Sequence, residues 1–224
     1  MALVYLVRHA QASFGQRNYD QLSQLGCQQA RWLGEWFAEQ GIGFKRVLSG
    51  TLLRQQDTSR EILAATGGDS DAIITHTGLD EYQGEAIWAA HTSGSDPIAH
   101  QRADHRAYWR TFREAMQAWC DDRLVDVPET WIEFGARVRD ALETASRDTT
   151  REDKVLVVSS GGAIGRAITD IVGAPATVAI ELNLQFRNTG FCELIAGGGG
   201  FRMLSYNNIP HLWRPDRHEA ITFA

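Results

Sequence analysis

The feature that most constrains this chain is the run Leu3-Val4-Tyr5-Leu6-Val7, which stops on Arg8-His9-Ala10. An unbroken apolar and β-branched run suits a strand buried on both faces, the condition of an inner strand in a parallel sheet. In open α/β sheets ligands gather just beyond the carboxyl ends of such strands. Arg8 and His9 therefore stand where chemistry is usually found. The competing reading is an ordinary strand that meets solvent at a charged pair, and the rest of the chain decides between the two.

The pattern recurs. A polar, turn-rich segment from Gln11 to Asp20 follows His9. Ser23 is then a candidate helix N-cap, with Ala30, Leu33 and Phe37 at helical spacing and Gly41 as the stop. Lys45 to Ser49 reads as a second strand, and Ser49-Gly50-Thr51 leads into a helix with Arg54 in its first turn. A third strand around Ile73-Ile74 runs into Gly78-Leu79-Asp80-Glu81-Tyr82 and a long irregular stretch through Pro97, of a length that is usually functional when ordered. Tyr108, Phe112, Met116 and Trp119 form one helical stripe, and Trp131, Phe134, Val138 and Leu142 another; both read as core packing. Lys154 to Val158 is the clearest buried strand, and Ser159-Ser160-Gly161-Gly162 opens a helix carrying Ile164, Ile168 and Ile171. Leu184 to Phe186, Phe191 to Ile195 and Phe201 to Leu204 read as antiparallel segments, with Gly197 to Gly200 as a turn. A polar tail holds His211 and His218, to which no role is given. The expected fold is α/β, a three-layer sandwich with a mixed, mostly parallel sheet flanked by helices. It forms a single domain over 1–224, with an insertion at about 82–125 over the site.

Charge and composition narrow the partners. A net charge of -6 offers no basic surface to nucleic acid or to an anionic membrane. No apolar run approaches the roughly 18 residues of a membrane span, and no secretory leader precedes the first strand, so a cytoplasmic location is expected. Cys27, Cys120 and Cys192 are odd in number and widely spaced, the pattern of reduced core thiols rather than of disulfides or a metal site. No cofactor or metal is called for. The absence of G-x-G-x-x-G after the first strand argues against dinucleotide binding.

Arg8-His9, Arg54, Glu81 and the Ser160-Gly161 turn converge at one end of such a sheet. Two guanidiniums present planar donor forks that match phosphate oxygens and keep their charge. A histidine between them has its protonation disfavoured, which leaves a neutral nitrogen able to attack phosphorus. Glu81 then supplies a proton to the leaving oxygen, its acid form favoured when a phosphate dianion docks beside it. The small-residue turn and helix N-terminus at Ser160 and Gly161 suit an anion.

Leu6-Val7-Arg8-His9-Ala10, Leu25-Gly26 with Gln29-Ala30, Ser49 through Arg54 to Thr58, and Leu79-Asp80-Glu81 occur in an order and spacing that resemble the histidine phosphatase (phosphoglycerate mutase-like) superfamily. The resemblance runs through nearly the whole chain. It implies that His9 becomes phosphorylated, that Arg8 and Arg54 clamp the phosphate, that Glu81 is the proton donor, and that no metal takes part. Alanine at position 10 replaces the glycine of the family's Arg-His-Gly signature, a change of small for small.

A second departure weighs more: the family's late Ser-His-Gly reads Ser159-Ser160-Gly161 here. A hydrogen bond to a charged group contributes roughly 1.5–3 kcal/mol against about 1 kcal/mol for a neutral one. Losing that difference slows a reaction by roughly five- to thirty-fold as a lower bound. That describes a weakened enzyme rather than a dead one. His76, His91, His100 and His105 are candidates to swing into the gap, although each also suits a solvated loop or helix.

The expected activity is hydrolysis of phosphate monoesters through a phosphohistidine at His9, on a phosphorylated small molecule or phosphoprotein. A mutase ranks lower, because Phe14-Gly15 stands where that branch places a tryptophan-asparagine pair and the 82–125 region lacks an arginine-rich sugar-acid clamp. The alternative from another class is a pseudoenzyme that binds phosphate without turning it over. Tyr82, Trp88, Tyr108 and Arg102 or Arg106 are the candidate contacts to a leaving group.

Overall fold

A computed structural model describes residues 2–13 and 20–223. The opening run is β1 (Ala2–Arg8), hydrogen-bonded between β4 (Lys154–Ser159) and β5 (Phe191–Gly197). β4 runs parallel to it, with Val4 opposite Val155 and Arg8 opposite Ser159, whereas β5 is antiparallel. β2 (Arg46–Ser49) and β3 (Ile73–Thr75) extend the parallel side, and β6 (Gly200–Asn208) closes the antiparallel side. The order β3-β2-β4-β1-β5-β6 is the mixed, mostly parallel sheet expected.

Successive side chains on a strand point to opposite faces. Val4, Leu6, Val155 and Val157 enter a core shared with α6 (Trp131–Ser146) and α7 (Gly161–Val172). Tyr5, Val7, Leu156 and Val158 enter a second core under α1 (Gln24–Glu39) and α2 (Leu53–Thr66). Two buried faces explain why the run at 3–7 shows no alternation. The chain leaves β1 for α1 on one face and leaves the neighbouring β4 for α7 on the other. His9 and Ser160 are the residues that follow the two strands, at the point where ligands of open α/β sheets gather.

Three sequence readings need correction. The irregular stretch before Pro97 contains α3 (Gly84–Thr92), which buries Ile87 and Trp88 and stops at Ser93 and Gly94, both at positive φ. It is followed by α4 (Pro97–Ala103) and α5 (His105–Cys120). Leu184 to Phe186 is not a strand: α8 (Val178–Gln185) ends there. Its apolar alternation is outweighed by packing, because Gly161 and Gly165 of α7 leave room for Asn183 and the Ala179 carbonyl to approach closely. His211, placed by the sequence in a polar tail without a role, is 1% exposed, its Nε2 2.8 Å from Thr189 Oγ1. No helix among the described residues is long and apolar enough to cross a membrane.

Candidate active site

His9 is 5% exposed and is tied down through its backbone, its N–H donating to Ser159 O at 2.9 Å and its carbonyl accepting from Asn188 Nδ2 at 3.2 Å. Its ring Nδ1 lies 2.8 Å from the Ala10 carbonyl, which can only accept, so Nδ1 carries the proton and Nε2 keeps a lone pair. Arg54 Nε–H donates into that lone pair at 3.2 Å. Burial, then the charges of Arg8 and Arg54, hold the imidazole well below its usual pKa, so it is neutral at physiological pH. Ala10 fits without strain: it is fully buried, and its N–H donates to Thr58 Oγ1 at 3.0 Å.

Arg8 and Arg54 are both buried, at 4% and 8% exposure. Arg8 extends from the end of β1 and donates through Nη1 to the Phe186 carbonyl. Arg54 is the second residue of α2, and its Nη1 pairs with Asp20 Oδ1 at 2.7 Å. The other oxygen of Asp20 accepts from Leu53 N at 2.8 Å, the first N–H of the same helix. Asp20 was not singled out in the sequence. A carboxylate in a turn-rich segment ahead of the first helix gives no local sign that it pairs with an arginine in the second.

Glu81 follows the single turn Thr77–Leu79 and is half-buried beside the start of α7. Oε1 accepts from Tyr82 N at 3.1 Å and Oε2 from Gly162 N at 3.0 Å. Burial raises its pKa, outweighing those two N–H groups and the more distant Arg54 and Arg8. Gly162 has to be glycine, because a Cβ there would overlap Glu81 Oε1 and the Tyr82 ring. Arg137 fixes the loop from behind: its Nη1 donates to the carbonyls of Thr77, Gly78 and Asp80 at 3.2, 3.1 and 2.8 Å, and Glu129 holds its Nη2 at 3.0 Å.

Ser160 and Gly161 form the N-terminus of α7, both buried, and Ser160 makes no side-chain cap to the helix. Ser160 Oγ accepts instead from Gln55 Nε2 at 2.9 Å. Three of the four histidines considered for the gap are engaged elsewhere. His76 accepts from Gly78 N at 3.0 Å and pairs with Asp140 at 3.3 Å. His100 lies edge-on to Trp88, and His105 accepts from Trp109 Nε1 at 3.0 Å. His91 is in the last turn of α3.

Among the leaving-group candidates, Trp88 is 2% exposed and donates to Ser95 O, which makes it packing. Tyr82 Oη accepts from Asn183 Nδ2 at 3.0 Å, with its ring against Trp119 and Phe134. Tyr108 stacks on Trp88, and Arg106 is exposed. Phe14-Gly15 and the side chain of Arg102 lie outside the described residues.

The geometry thus brings a neutral imidazole nitrogen, two guanidiniums and a carboxyl with a raised pKa to the ends of adjacent strands. Residues 4–209 match the pattern described as the histidine phosphatase superfamily, branch 1. The chain belongs to the histidine phosphatase superfamily. Among its relatives, the probable phosphoglycerate mutase GpmB of Escherichia coli O1:K1 is 30% identical over 226 residues, covering 96% of this chain and 97% of its own. The protein of that name from Shigella boydii serotype 18 is 28% identical over 224 residues, with the same coverage. Solved structures of the superfamily share the fold. Phosphoserine phosphatase of Entamoeba histolytica, in complex with 3-phosphoglyceric acid, superposes with a TM-score of 0.67 at 18% identity, covering 95% of this chain and 100% of its own. YhfR of Bacillus stearothermophilus gives 0.69 at 16% identity, covering 94% and 99%.

Proposed function

We propose that this superfamily member is a phosphatase that hydrolyses phosphate monoesters through a phosphohistidine at His9. The observation that carries the reading is the state of the His9 ring: Nδ1–H is committed to the Ala10 carbonyl and a bare Nε2 faces Arg54. A docked phosphoryl group takes the guanidinium donors of Arg8 and Arg54, which releases the Nε2 lone pair to attack phosphorus. The N–P bond forms as the ester P–O bond breaks, and the Glu81 acid passes its proton to the departing oxygen. Glu81, now a carboxylate, takes a proton from water as that water attacks phosphorus, the N–P bond breaks, and phosphate leaves with His9 neutral again. Arg8, Arg54, Ser160 and the N–H of Gly161 are the phosphate ligands in this scheme, and the substrate is a phosphorylated small molecule or phosphoprotein.

The test is turnover of p-nitrophenyl phosphate with phosphoenzyme trapping. The native chain should form an acid-labile, alkali-stable phosphohistidine that His9→Ala abolishes along with turnover. Full activity in His9→Ala would overturn the reading. The names of the curated relatives favour a second reading, return of the phosphoryl group to a sugar acid. Supplying 3-phosphoglycerate separates the two, since a mutase yields the positional isomer and a phosphatase yields inorganic phosphate.

A further inference from the structure

Gln55 lies one residue beyond Arg54 on α2 and is fully buried. Its amide is completely used: Nε2 donates to Leu79 O and to Ser160 Oγ, both at 2.9 Å, and Oε1 accepts from Leu52 N at 3.3 Å. A carbonyl can only accept and a backbone N–H can only donate, so Leu79 and Leu52 together fix which way round the amide sits. Gln55 must therefore donate to Ser160, and Ser160 cannot donate to Gln55. The hydroxyl proton of Ser160, itself 0% exposed, meets no acceptor among the described residues. Leaving a buried donor unmet is costly.

That unmet donor is well placed. The residue before it, Ser159, accepts the backbone N–H of His9 at 2.9 Å, and Gly162, two residues after it, donates to Glu81 at 3.0 Å. It thus stands in the chain between the anchor of the nucleophile and the anchor of the acid. We infer that Gln55 is a positioning residue: by occupying the acceptor side of Ser160 Oγ, it commits the Ser160 hydroxyl proton to an oxygen of the docked phosphoryl group. The inference rests on the proposed phosphatase reading and deepens it, giving the position where the family carries histidine a neutral donor of fixed direction.

The experiment is a double-mutant cycle on the full chain, with inorganic phosphate titrated by calorimetry and p-nitrophenyl phosphate turnover followed in parallel. Ser160→Ala should weaken phosphate binding about tenfold or more, the scale of a hydrogen bond to a charged group. Gln55→Leu should weaken it comparably with Ser160 present and less than about twofold in the Ser160→Ala background, because the two act as one unit. Equal effects of Gln55→Leu in both backgrounds would show that Gln55 acts through the fold or through Arg54, and would overturn the inference. So would unchanged phosphate affinity in Ser160→Ala, a variant that removes only one buried oxygen and stays informative if Gln55→Leu does not fold. Native chain that binds phosphate with the predicted coupling but does not hydrolyse the ester supports the inference while defeating the phosphatase reading. Turnover without coupling does the reverse.

Discussion

Glu81 is the residue whose environment makes the sharpest chemical demand. Burial raises its pKa above the usual carboxylate value, so its acid form persists to higher pH and is lost as pH rises through the raised pKa. A proton donor matters most when the leaving oxygen is a poor leaving group. Glu81→Gln should therefore lower kcat/KM for an alkyl monoester by about 10²–10⁴-fold, and for p-nitrophenyl phosphate, whose phenolate leaves unaided, by far less. Equal losses on the two substrates would remove Glu81 from the proton-donor role. At this scale His9, Arg8, Arg54 and Glu81 were legible because each sits where a buried run or a glycine turn ends, and the chemistry of each side chain suits phosphate. Asp20, Gln55 and Arg137 were not. Their partners lie in other elements, Asp20 on Arg54, Gln55 on Leu79 and Ser160, Arg137 on the carbonyls of 77–80, and no local pattern encodes a contact between distant parts of the chain.

Between elements, the decisive contact is the start of α7 against the Glu81 loop. Gly162 supplies an N–H to Glu81 and has no space for a Cβ beside Glu81 and Tyr82. Gly162→Ala must push the loop away or distort the helix entry, an overpacking cost of about 1–3 kcal/mol. A shift of the acid by about 1 Å is enough to slow catalysis by about 10²-fold. The expected outcome is a chain with native circular dichroism, a lower Tm and a kcat reduced by about that factor, and a kcat unchanged within twofold would show that the loop is not held by this contact. β1 and β4 were readable because both of their faces are buried, and α5 and α6 because their stripes keep helical period. α3 and α8 escaped because their helical state comes from packing: α3 is nine residues long and buries only Ile87 and Trp88, and α8 depends on the glycine side of α7. Short segments of that kind are decided by tertiary context rather than by propensity.

Across the whole molecule, two buried neutral histidines tie stability to pH. His9 is held well below its usual pKa, and His211 is lowered to about 3 by burial and by Arg217. Geometry fixes its tautomer: Thr189 Oγ1 donates to Asn188 O at 2.6 Å and so accepts from His211 Nε2–H at 2.8 Å, which leaves the lone pair on Nδ1, a buried atom with no partner among the described residues. Asn188 in turn donates to the His9 carbonyl, so the closing segment packs directly behind the candidate nucleophile. For a base whose folded pKa is depressed, the unfolded chain binds the extra proton. Stability is then fully present above the unfolded value near 6.5 and is lost as pH falls toward the folded one. The His211 share of that loss spans pH 6.5 to about 3. Glu81, raised above its unfolded value, works in the opposite sense, so the comparison has to be a difference between variants. Denaturant midpoints should fall as pH is lowered below about 6.5. In His211→Asn, which offers Thr189 an N–H with no proton to gain, the fall should be shallower by about one proton, or about 1.4 kcal/mol per pH unit. If the two chains lose stability in parallel between pH 6.5 and about 4, His211 is not held neutral in the fold, and its burial and the nearby Arg217 do not set its charge.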